Sequence, residues 1–223
     1  MLTIRWACEA DCALIRRLAD EVFPATYRGI ITPSQMEYMM EWMYGAEVLA
    51  REMCGEFAWF IASADGEPCG YLSVQHEAED LFHLQKIYVL PRFQGIGAGE
   101  FLFRHAVEYI RSVHPAPCRM ELNVNRNNRA LHFYERMGMR KLREGDFPIG
   151  DGYYMNDYIM GLDIKYGRRV AAAVRKIKTD AFVGVRFFAW RPVAGDLARL
   201  LAPPGLPESS VAGLLPDAGI RLP

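Results

Sequence analysis

The sequence lacks the features that membrane-spanning or cross-linked proteins need. No apolar run in the 223 residues reaches the roughly eighteen that a transmembrane helix requires. The five cysteines, at positions 8, 12, 54, 69 and 118, form no Cys-x-x-Cys pair and no cluster with histidine. This spacing indicates small buried side chains in a reducing compartment, and it argues against a zinc site or a disulfide framework.

Neither part of the chain has balanced charge. Residues 1–164 carry 16 Lys/Arg against 23 Asp/Glu, a net charge of −7, whereas residues 165–223 carry 10 against 4, a net charge of +6. An acidic body does not suit nucleic acid, but it suits a cationic amine substrate. The first residues, MLTIRWACEAD, lack the charge pattern of a signal peptide, so we expect a cytoplasmic protein that does not bind a membrane.

The composition changes once along the chain. With 51% hydrophobic residues, the chain can bury the core of one ordinary domain and still carry an extension. After Ile164 the sequence becomes basic and rich in proline and glycine, and it shows no motif. We therefore predict one domain over residues 1–164 and an extension over 165–223, to which the sequence assigns no role.

A glycine-rich stretch follows an apolar run near the middle of the chain. Residues 87–100 read IYVLPRFQGIGAGE, and Pro91 ends a predicted strand because proline donates no ladder hydrogen bond. Glycines stand at 95, 97 and 99, after which apolar residues recur at helical spacing. The pattern predicts strand, turn and helix, and the backbone N–H groups of such a turn favour a pyrophosphate.

Other phosphate-binding turns fit these residues less well. A P-loop would end in Gly-Lys-Ser/Thr, but Gly99 is followed by Glu100 and Phe101. A dinucleotide-binding fold would show G-x-G-x-x-G early in a βαβ unit, whereas the spacing here is G-x-G-x-G in mid-chain. On these residues alone, a tight turn with a purely structural role stays open.

Local signals place the other elements in the order β-α-α-β-β-β-α-β-α-β-β. Asp11 is a predicted cap of a first helix that ends at Pro24, and Thr32 is a predicted cap of a second helix. Asp65-Gly66 between two apolar runs predicts a tight hairpin, and Gly150-Asp151-Gly152 separates the last two strands.

Two segments together resemble one enzyme superfamily. Residues 94–99, QGIGAG, resemble the Gln/Arg-x-x-Gly-x-Gly/Ala motif of the GNAT N-acetyltransferases, and residues 125–139, NRNNRALHFYERMGM, resemble that family's second motif. Both occur in the family's order and separation, and the resemblance covers residues 2–164. It implies an α/β (α+β) GNAT fold, in which about four helices flank a mixed sheet of six to seven strands, with the C-terminal extension outside it.

The resemblance also implies a cofactor and a reaction. The co-substrate would be acetyl-CoA, without a metal, and an amine would attack the thioester directly in a ternary complex. The residues predicted to contact coenzyme A are Ile87, Tyr88, Val89, Gln94, Gly95, Ile96, Gly97, Ala98, Gly99, Asn127 and Tyr134.

For the proton transfers, the resemblance suggests two side chains. Tyr134 lies where the family places a tyrosine that protonates the leaving thiolate, and a buried core tyrosine is the alternative. Many members carry a glutamate base in the strand before the glycine turn, and here that position is His83. An exposed strand residue is the alternative for His83, and Glu79 and Asp80 are other candidates for the base.

The acceptor is predicted less directly. The resemblance makes Tyr27, Glu37 and Glu41 candidates for contacting an amine, although a solvated helix face would also account for both glutamates. Asp157 is a further candidate for the pocket. The segment FPATYRGIITPSQMEYMM is similar to bacterial spermidine/spermine-type acetyltransferases. Together with the acidic domain, this favours a polyamine or another small amine.

Two other functions stay open on the sequence. Acetylation of a protein N-terminus or lysine would need an open, less acidic cleft. A non-catalytic acyl-CoA sensor is the third hypothesis, against which Tyr134 and the intact glycine turn argue. Many relatives form dimers through their last strands, so a homodimer is a further expectation.

Overall fold

Seven strands form one mixed sheet in the order β1-β2-β3-β4-β5-β7-β6. The structure is a computed structural model and describes residues 1–55 and 57–165. The strands are β1 (Leu2–Trp6), β2 (Phe57–Ala64), β3 (Glu67–Ala78), β4 (Leu81–Val89), β5 (Cys118–Asn125), β6 (Arg140–Gly150) and β7 (Tyr153–Ile164). The predicted extension, apart from Lys165, lies outside the described residues, so the division of the chain at residue 164 stays a prediction.

Helices cover both faces of this sheet. They are α1 (Cys12–Tyr27), α2 (Pro33–Tyr44), α3 (Ala46–Cys54), α4 (Ala98–Val113) and α5 (Leu131–Arg136). The mixed seven-stranded sheet with flanking helices confirms the predicted fold class. Within the described residues, no helix is both long and apolar enough to span a membrane.

The local predictions had mixed outcomes. The Thr32 hydroxyl accepts a hydrogen bond from the Gln35 amide and caps α2, and Asp65-Gly66 turns between β2 and β3 with positive φ at both residues, so both predictions are confirmed. The prediction that the first helix ends at Pro24 was wrong, because α1 continues to Tyr27. The helix α3 was not predicted at all.

The cysteine prediction was correct only in part. All five cysteines are free, and Cys69 and Cys118 are buried as expected. Cys8 and Cys54 are exposed, and Cys12 is half-buried. The prediction of buried side chains was therefore wrong for Cys8 and Cys54, because a small apolar side chain carries no periodic signal that separates core from surface.

Two apolar cores lie on opposite faces of the sheet. One includes Leu72, Leu84 and Leu122 of the strands and packs against Leu102 of α4 and the side of α5. The other includes Trp59 and Tyr71 of the strands and packs against α1, α2 and α3. This layering buries both faces of the central strands, as their nearly continuous apolar sequences require.

Strands β4 and β5 are the one parallel pair in the described sheet, and they separate early. Their register contains only three pairs, which join Leu81, Phe82 and His83 to Arg119, Met120 and Glu121. Beyond them, β4 stays paired with β3 as far as Val89, while β5 stays paired with β7 as far as Asn125. The carboxyl ends of β4 and β5 therefore diverge and leave an opening in the sheet.

A buried ion pair anchors α3 to β4. The ammonium group of Lys86, whose side chain is 5% exposed, donates to both carboxylate oxygens of Glu52, at 3.1 and 2.9 Å. The same ammonium lies 4.9 Å from the ring centre of Trp59. Burial lowers the pKa of Lys86 and the Glu52 carboxylate opposes that shift, so the lysine depends on its partner to stay charged.

Replacing Glu52 by glutamine leaves the Lys86 ammonium buried without its counter-charge. We expect the free energy of unfolding, measured with denaturant at neutral pH, to fall by about 3 kcal/mol. The control is Glu100→Gln, which removes an exposed pair with Arg104 and should cost less than about 0.5 kcal/mol. Equally small losses in both variants would contradict the dependence of Lys86 on Glu52.

Candidate active site

The glycine-rich turn lies where β4 ends, beside the opening in the sheet. Gly95 and Gly97 both have positive φ, at +86° and +87°, and α4 begins at Ala98 directly after them. The Gln94 side chain donates to the carbonyl of Val89 at 3.1 Å and holds the turn against the strand end. Since a Cβ at either glycine would meet nothing within 4 Å, their backbone is open to an approaching ligand.

The second motif forms the other side of the opening. After β5, the Asn125 side chain accepts a hydrogen bond from the Asn127 amide at 3.0 Å, and the Asn128 side chain accepts one from the Ala130 amide at 2.9 Å. These turns direct the chain into α5, which carries Tyr134 at 8% exposure. The side chain of Asn127 is exposed at this edge.

Three tyrosines from separate elements lie near enough to affect one another electrostatically. The hydroxyl groups of Tyr27, in the last turn of α1, and Tyr88, in β4, lie 3.3 Å apart. Burial raises the pKa of Tyr134, and the nearby Tyr27 raises it further, so Tyr134 keeps its proton at neutral pH. Tyr27 and Tyr88 belong to the core under α1–α3 and Tyr134 to the core under α4. We name Tyr27, Tyr88 and Tyr134 the tyrosine cluster.

Asp157 on β7 lies next to this cluster. It is 1% exposed and is the register partner of Asn125, the last residue of β5. Asn123 donates a hydrogen bond to its Oδ2 atom at 3.2 Å. Burial raises the pKa of Tyr27, and the nearby Asp157 carboxylate adds to that shift. Tyr27 and Asp157, two of the residues predicted to contact the acceptor, therefore lie near each other.

The structure does not bring His83 to the tyrosine cluster. Its Nδ1 atom lies 3.3 Å from the Glu77 carboxylate, near the start of β4, and its register partner on β5 is Glu121. Burial lowers the pKa of His83, and Glu77 and Glu121 oppose that shift. This position is at the paired end of β4 and β5, away from the glycine turn.

The two glutamates of α2 also stay apart from the cluster. Glu37 is exposed, and its carboxylate forms no ion pair with any residue of 1–55 or 57–165. Glu41 pairs with Arg16 of α1 at 2.7 Å, which joins the two helices on their outer side. A solvated helix face, the alternative for both residues, agrees with this placement.

Helix α2 is tied to the hairpin that joins β6 and β7. The Tyr38 hydroxyl donates to the carbonyl of Ile149 at 2.6 Å, and the Gln35 amide donates to the carbonyl of Tyr154 at 2.9 Å. The rings of Tyr38 and Tyr153 also lie 5.3 Å apart. We call these contacts the α2–hairpin contact. They hold the hairpin end of β6 and β7 against α2.

An open depression of about 440 Å³ lies beside this contact. It is lined by Gln35, Asp146, Gly152, Tyr153, Tyr154 and Asn156. None of the tyrosine cluster lines it, so the depression is separate from the place where the predicted site residues meet.

Sequence reasoning missed three features of this site. Gly70 in β3 lies so close to β4 that an added Cβ would collide with the Tyr88 carbonyl, and a glycine inside a strand pattern is the signal that could have shown it. Neither Asn123 beside Asp157 nor Tyr38 against the hairpin carries a local signal. Their partners are distant in sequence.

Comparison with known proteins identifies the class to which this site belongs. The family model described as the acetyltransferase (GNAT) family matches residues 17–139, more than half of the chain. The chain belongs to this family. It is accordingly an acyl-CoA-dependent N-acetyltransferase, as the two motifs predicted.

Solved structures of similar fold agree with this assignment. The PaiA N-acetyltransferase from Thermoplasma acidophilum in complex with coenzyme A has 23% identity and a TM-score of 0.61, over 73% of this chain and 99% of that one. The ribosomal-protein-S18-alanine N-acetyltransferase from Escherichia coli has 19% identity and a TM-score of 0.57, over 75% and 96%. YncA from Salmonella typhimurium, with its cofactor acetyl-CoA, has 19% identity and a TM-score of 0.52, over 75% and 96%. At these identities the likeness shows the fold, and it does not select an acceptor.

Replacing Gly150 by alanine tests the α2–hairpin contact. Its φ is +100°, and an added Cβ would collide with the Tyr38 hydroxyl. We expect the free energy of unfolding to fall by about 2 kcal/mol and the hairpin amides to exchange hydrogen faster.

The control for this variant is Gly152→Ala. Gly152 also has a positive φ, +77°, but an added Cβ there would meet nothing within 4 Å. It should lose about 1 kcal/mol from backbone strain alone and keep the exchange protection of the hairpin. If both variants behave alike, the Tyr38 hydroxyl does not hold the hairpin.

Proposed function

We propose that this N-acetyltransferase moves the acetyl group of acetyl-CoA to a small primary amine, such as a polyamine, by direct attack in a ternary complex. The observation that carries the proposal is the meeting of the tyrosine cluster and Asp157 at the opening between β4 and β5. An acid, a buried carboxylate and an open glycine turn, all at one edge of the sheet, are what transfer from a thioester to an ammonium substrate needs.

Coenzyme A would lie along the opening. The backbone amides of residues 95–99 and the positive end of the α4 dipole would hold the pyrophosphate, with Gln94 fixing the turn. Ile87, Tyr88 and Val89, where β4 has left β5, would offer backbone groups to the pantetheine arm and to the thioester oxygen. Asn127 would contact the cofactor from the opposite side of the opening.

Tyr134 would protonate the departing thiolate. Burial raises the pKa of its phenol, which keeps the proton available at neutral pH. Tyr27, a predicted acceptor residue, lies near enough to Tyr134 to raise its pKa, which supports a position of Tyr134 between the cofactor and the acceptor.

The acceptor side supports a small amine over a polypeptide. The α2–hairpin contact joins α2 to the β6–β7 hairpin, whereas an extended peptide would need an open groove between them. The net charge of −7 over residues 1–164 favours a cationic ligand. The contribution of Glu37, exposed on α2, stays a prediction, as do the cytoplasmic location and the homodimer.

Replacing Gly97 by alanine tests the cofactor turn. A Cβ there would stand between the backbone amides and the pyrophosphate, so we expect the KM for acetyl-CoA to rise about tenfold, equivalent to about 1.4 kcal/mol of binding. The matched control is Gly66→Ala in the β2–β3 turn, which has nearly the same φ, +89°. It should show a similar loss of stability and no change in KM. A normal KM in the Gly97 variant would remove the turn from the binding site.

Replacing Tyr134 by phenylalanine tests the acid, in an assay of thiol release from acetyl-CoA. We expect kcat to fall about 100-fold, because the leaving thiolate loses its proton donor, and we expect any rise in the KM for acetyl-CoA to be much smaller. Tyr109→Phe, a half-buried tyrosine of α4 that packs on Phe60, is the control.

The same assay, run on the wild type with spermidine, spermine, amino acids, aminoglycosides and short peptides, defines the acceptor. Turnover of small amines supports the proposal, and turnover of peptides alone would replace it with a protein acetyltransferase. Cofactor binding without turnover of any amine would favour an acyl-CoA sensor.

A further inference from the structure

We propose that Asp157 is the base that accepts a proton from the amine substrate. The inference rests on the proposed function and deepens it, since the sequence suggested His83 as the base and Asp157 only as a pocket residue. Four observations carry it: the position of Asp157, its burial, its lack of a salt bridge within residues 1–55 and 57–165, and the distance of His83 from it.

Asp157 lies at the end of the sheet where β4 and β5 separate and where the reaction would take place. Its register partner Asn125 is the last residue of β5, and the chain leaves this strand end for Asn127 and α5. Parallel strands bring their carboxyl ends to one edge, so Asp157 lies at the same edge as the glycine turn after β4. It also lies near enough to Tyr27 to raise the pKa of that phenol beyond the effect of burial.

Asp157 is a deeply buried carboxylate that forms no salt bridge within the described residues. The described part of the chain contains two buried carboxylates, Asp157 at 1% and Glu121 at 5% exposure. Glu121 is paired with Arg143 at 2.8 Å. Asp157 has the neutral amide of Asn123 as its hydrogen-bond partner, and no lysine or arginine in residues 1–55 or 57–165 forms a salt bridge with it.

This contrast indicates what Asp157 binds. A buried carboxylate without a counter-charge is costly, and a fold that pairs Glu121 has the means to pair Asp157 as well. Arg126 lies near enough to lower the pKa of Asp157, but its guanidinium forms its salt bridge with Asp146 and not with Asp157. A direct cationic partner is therefore left to the substrate, and the ammonium group of the acceptor has that chemistry.

The charged and titratable groups that face Asp157 set its proton affinity. They are Tyr27 from α1 and Arg126 from the turn after β5, whose guanidinium also pairs with Asp146 of β6. Burial raises the pKa of Asp157 to about 6, while the Asn123 hydrogen bond and Arg126 oppose the shift. Such a carboxylate is ionised at neutral pH and is a stronger base than an exposed aspartate.

His83 cannot reach the same proton. On β5 its register partner Glu121 is four residues from Asn125, the register partner of Asp157. At about 3.3 Å per residue, the two sites are about 13 Å apart along the strand. The Nδ1 atom of His83 also lies 3.3 Å from the Glu77 carboxylate. This pairing accounts for the half-buried imidazole without a role in catalysis.

The proton balance of the reaction is complete with these two residues. Asp157 takes one proton from the substrate ammonium and later releases it to solvent. The amine lone pair then forms the C–N bond as the C–S bond breaks, and Tyr134 gives its proton to the thiolate. The second proton lost by the amine nitrogen restores Tyr134, so the products are the N-acetylamine, the CoA thiol and one released proton.

The experiment measures acetyl transfer by Asp157→Asn over a range of pH, with the best small amine found for the wild type. We expect kcat to fall about 100-fold and the KM for acetyl-CoA to stay unchanged. In the wild type, kcat/KM for the amine should fall as the pH drops below about 6, because protonated Asp157 can accept no proton. The variant should lack this acid limb.

A weakly basic amine makes the test specific for proton removal. An amine that is already neutral at the assay pH, such as 2,2,2-trifluoroethylamine, should lose much less rate in Asp157→Asn than a strongly basic one. A loss of the same size for both amines, or a rise in the amine KM with normal kcat, would overturn the role as base and leave Asp157 as a binding residue.

Controls separate misfolding and failure of the proposed function. Ionised Asp157 destabilises the fold above its raised pKa, so Asp157→Asn should melt no lower than the wild type at neutral pH. Asp163→Asn, on the same strand at its other end, should keep full activity. Asp157→Glu, which retains a carboxylate, should keep part of the rate and the acid limb. If the wild type itself acetylates no amine while still binding acetyl-CoA, the proposed function fails, whereas a normal rate in Asp157→Asn overturns the role of Asp157 alone.

Discussion

The early separation of β4 from β5 is the constraint on which the rest of the site depends. After three parallel pairs, β4 follows its antiparallel neighbour β3 and β5 follows β7, so neither strand satisfies the other's backbone beyond His83. Unpaired backbone groups at a strand edge are a template for an extended partner. The pantetheine arm of an acyl-CoA is an extended chain with amide groups, so it can pair with such a strand edge.

The opening also explains why the tyrosine cluster can exist. A continuous sheet would separate the core under α1–α3 from the core under α4, and side chains of the two faces would not meet. Because the strands part, Tyr134 from one face influences Tyr27 and Tyr88 from the other. On the other side of β4, Gly70 of β3 packs closely against the backbone of Tyr88.

The predictable features are those that depend on neighbours in sequence. Asp65-Gly66, the Thr32 cap and the glycine turn each carry their signal within a few residues, and all three appear where they were predicted. The continuation of α1 past Pro24 has a tertiary cause. The ring centre of Phe23 lies 6.2 Å from that of Tyr88 in β4, and the Tyr27 hydroxyl lies 3.3 Å from the Tyr88 hydroxyl, and these contacts outweigh one missing helix hydrogen bond. Asp157 is likewise flanked by β5 and β6, which are distant in sequence, so the sequence could suggest the residue for the pocket but not its environment.

The two buried groups Lys86 and Asp157 have different partners, and the difference follows from their different roles. Lys86 lies deep in one core, and the fold supplies Glu52 as its counter-charge. Asp157 is also buried, but its hydrogen-bond partner is the neutral amide of Asn123, and the nearby Arg126 forms no salt bridge with it. A structural charge needs a permanent partner, whereas a base must be free to take a proton and release it. The fold therefore supplies a salt bridge to the buried lysine of its core, and the described chain supplies none to the buried carboxylate that the reaction would use, at a cost to the stability of the domain.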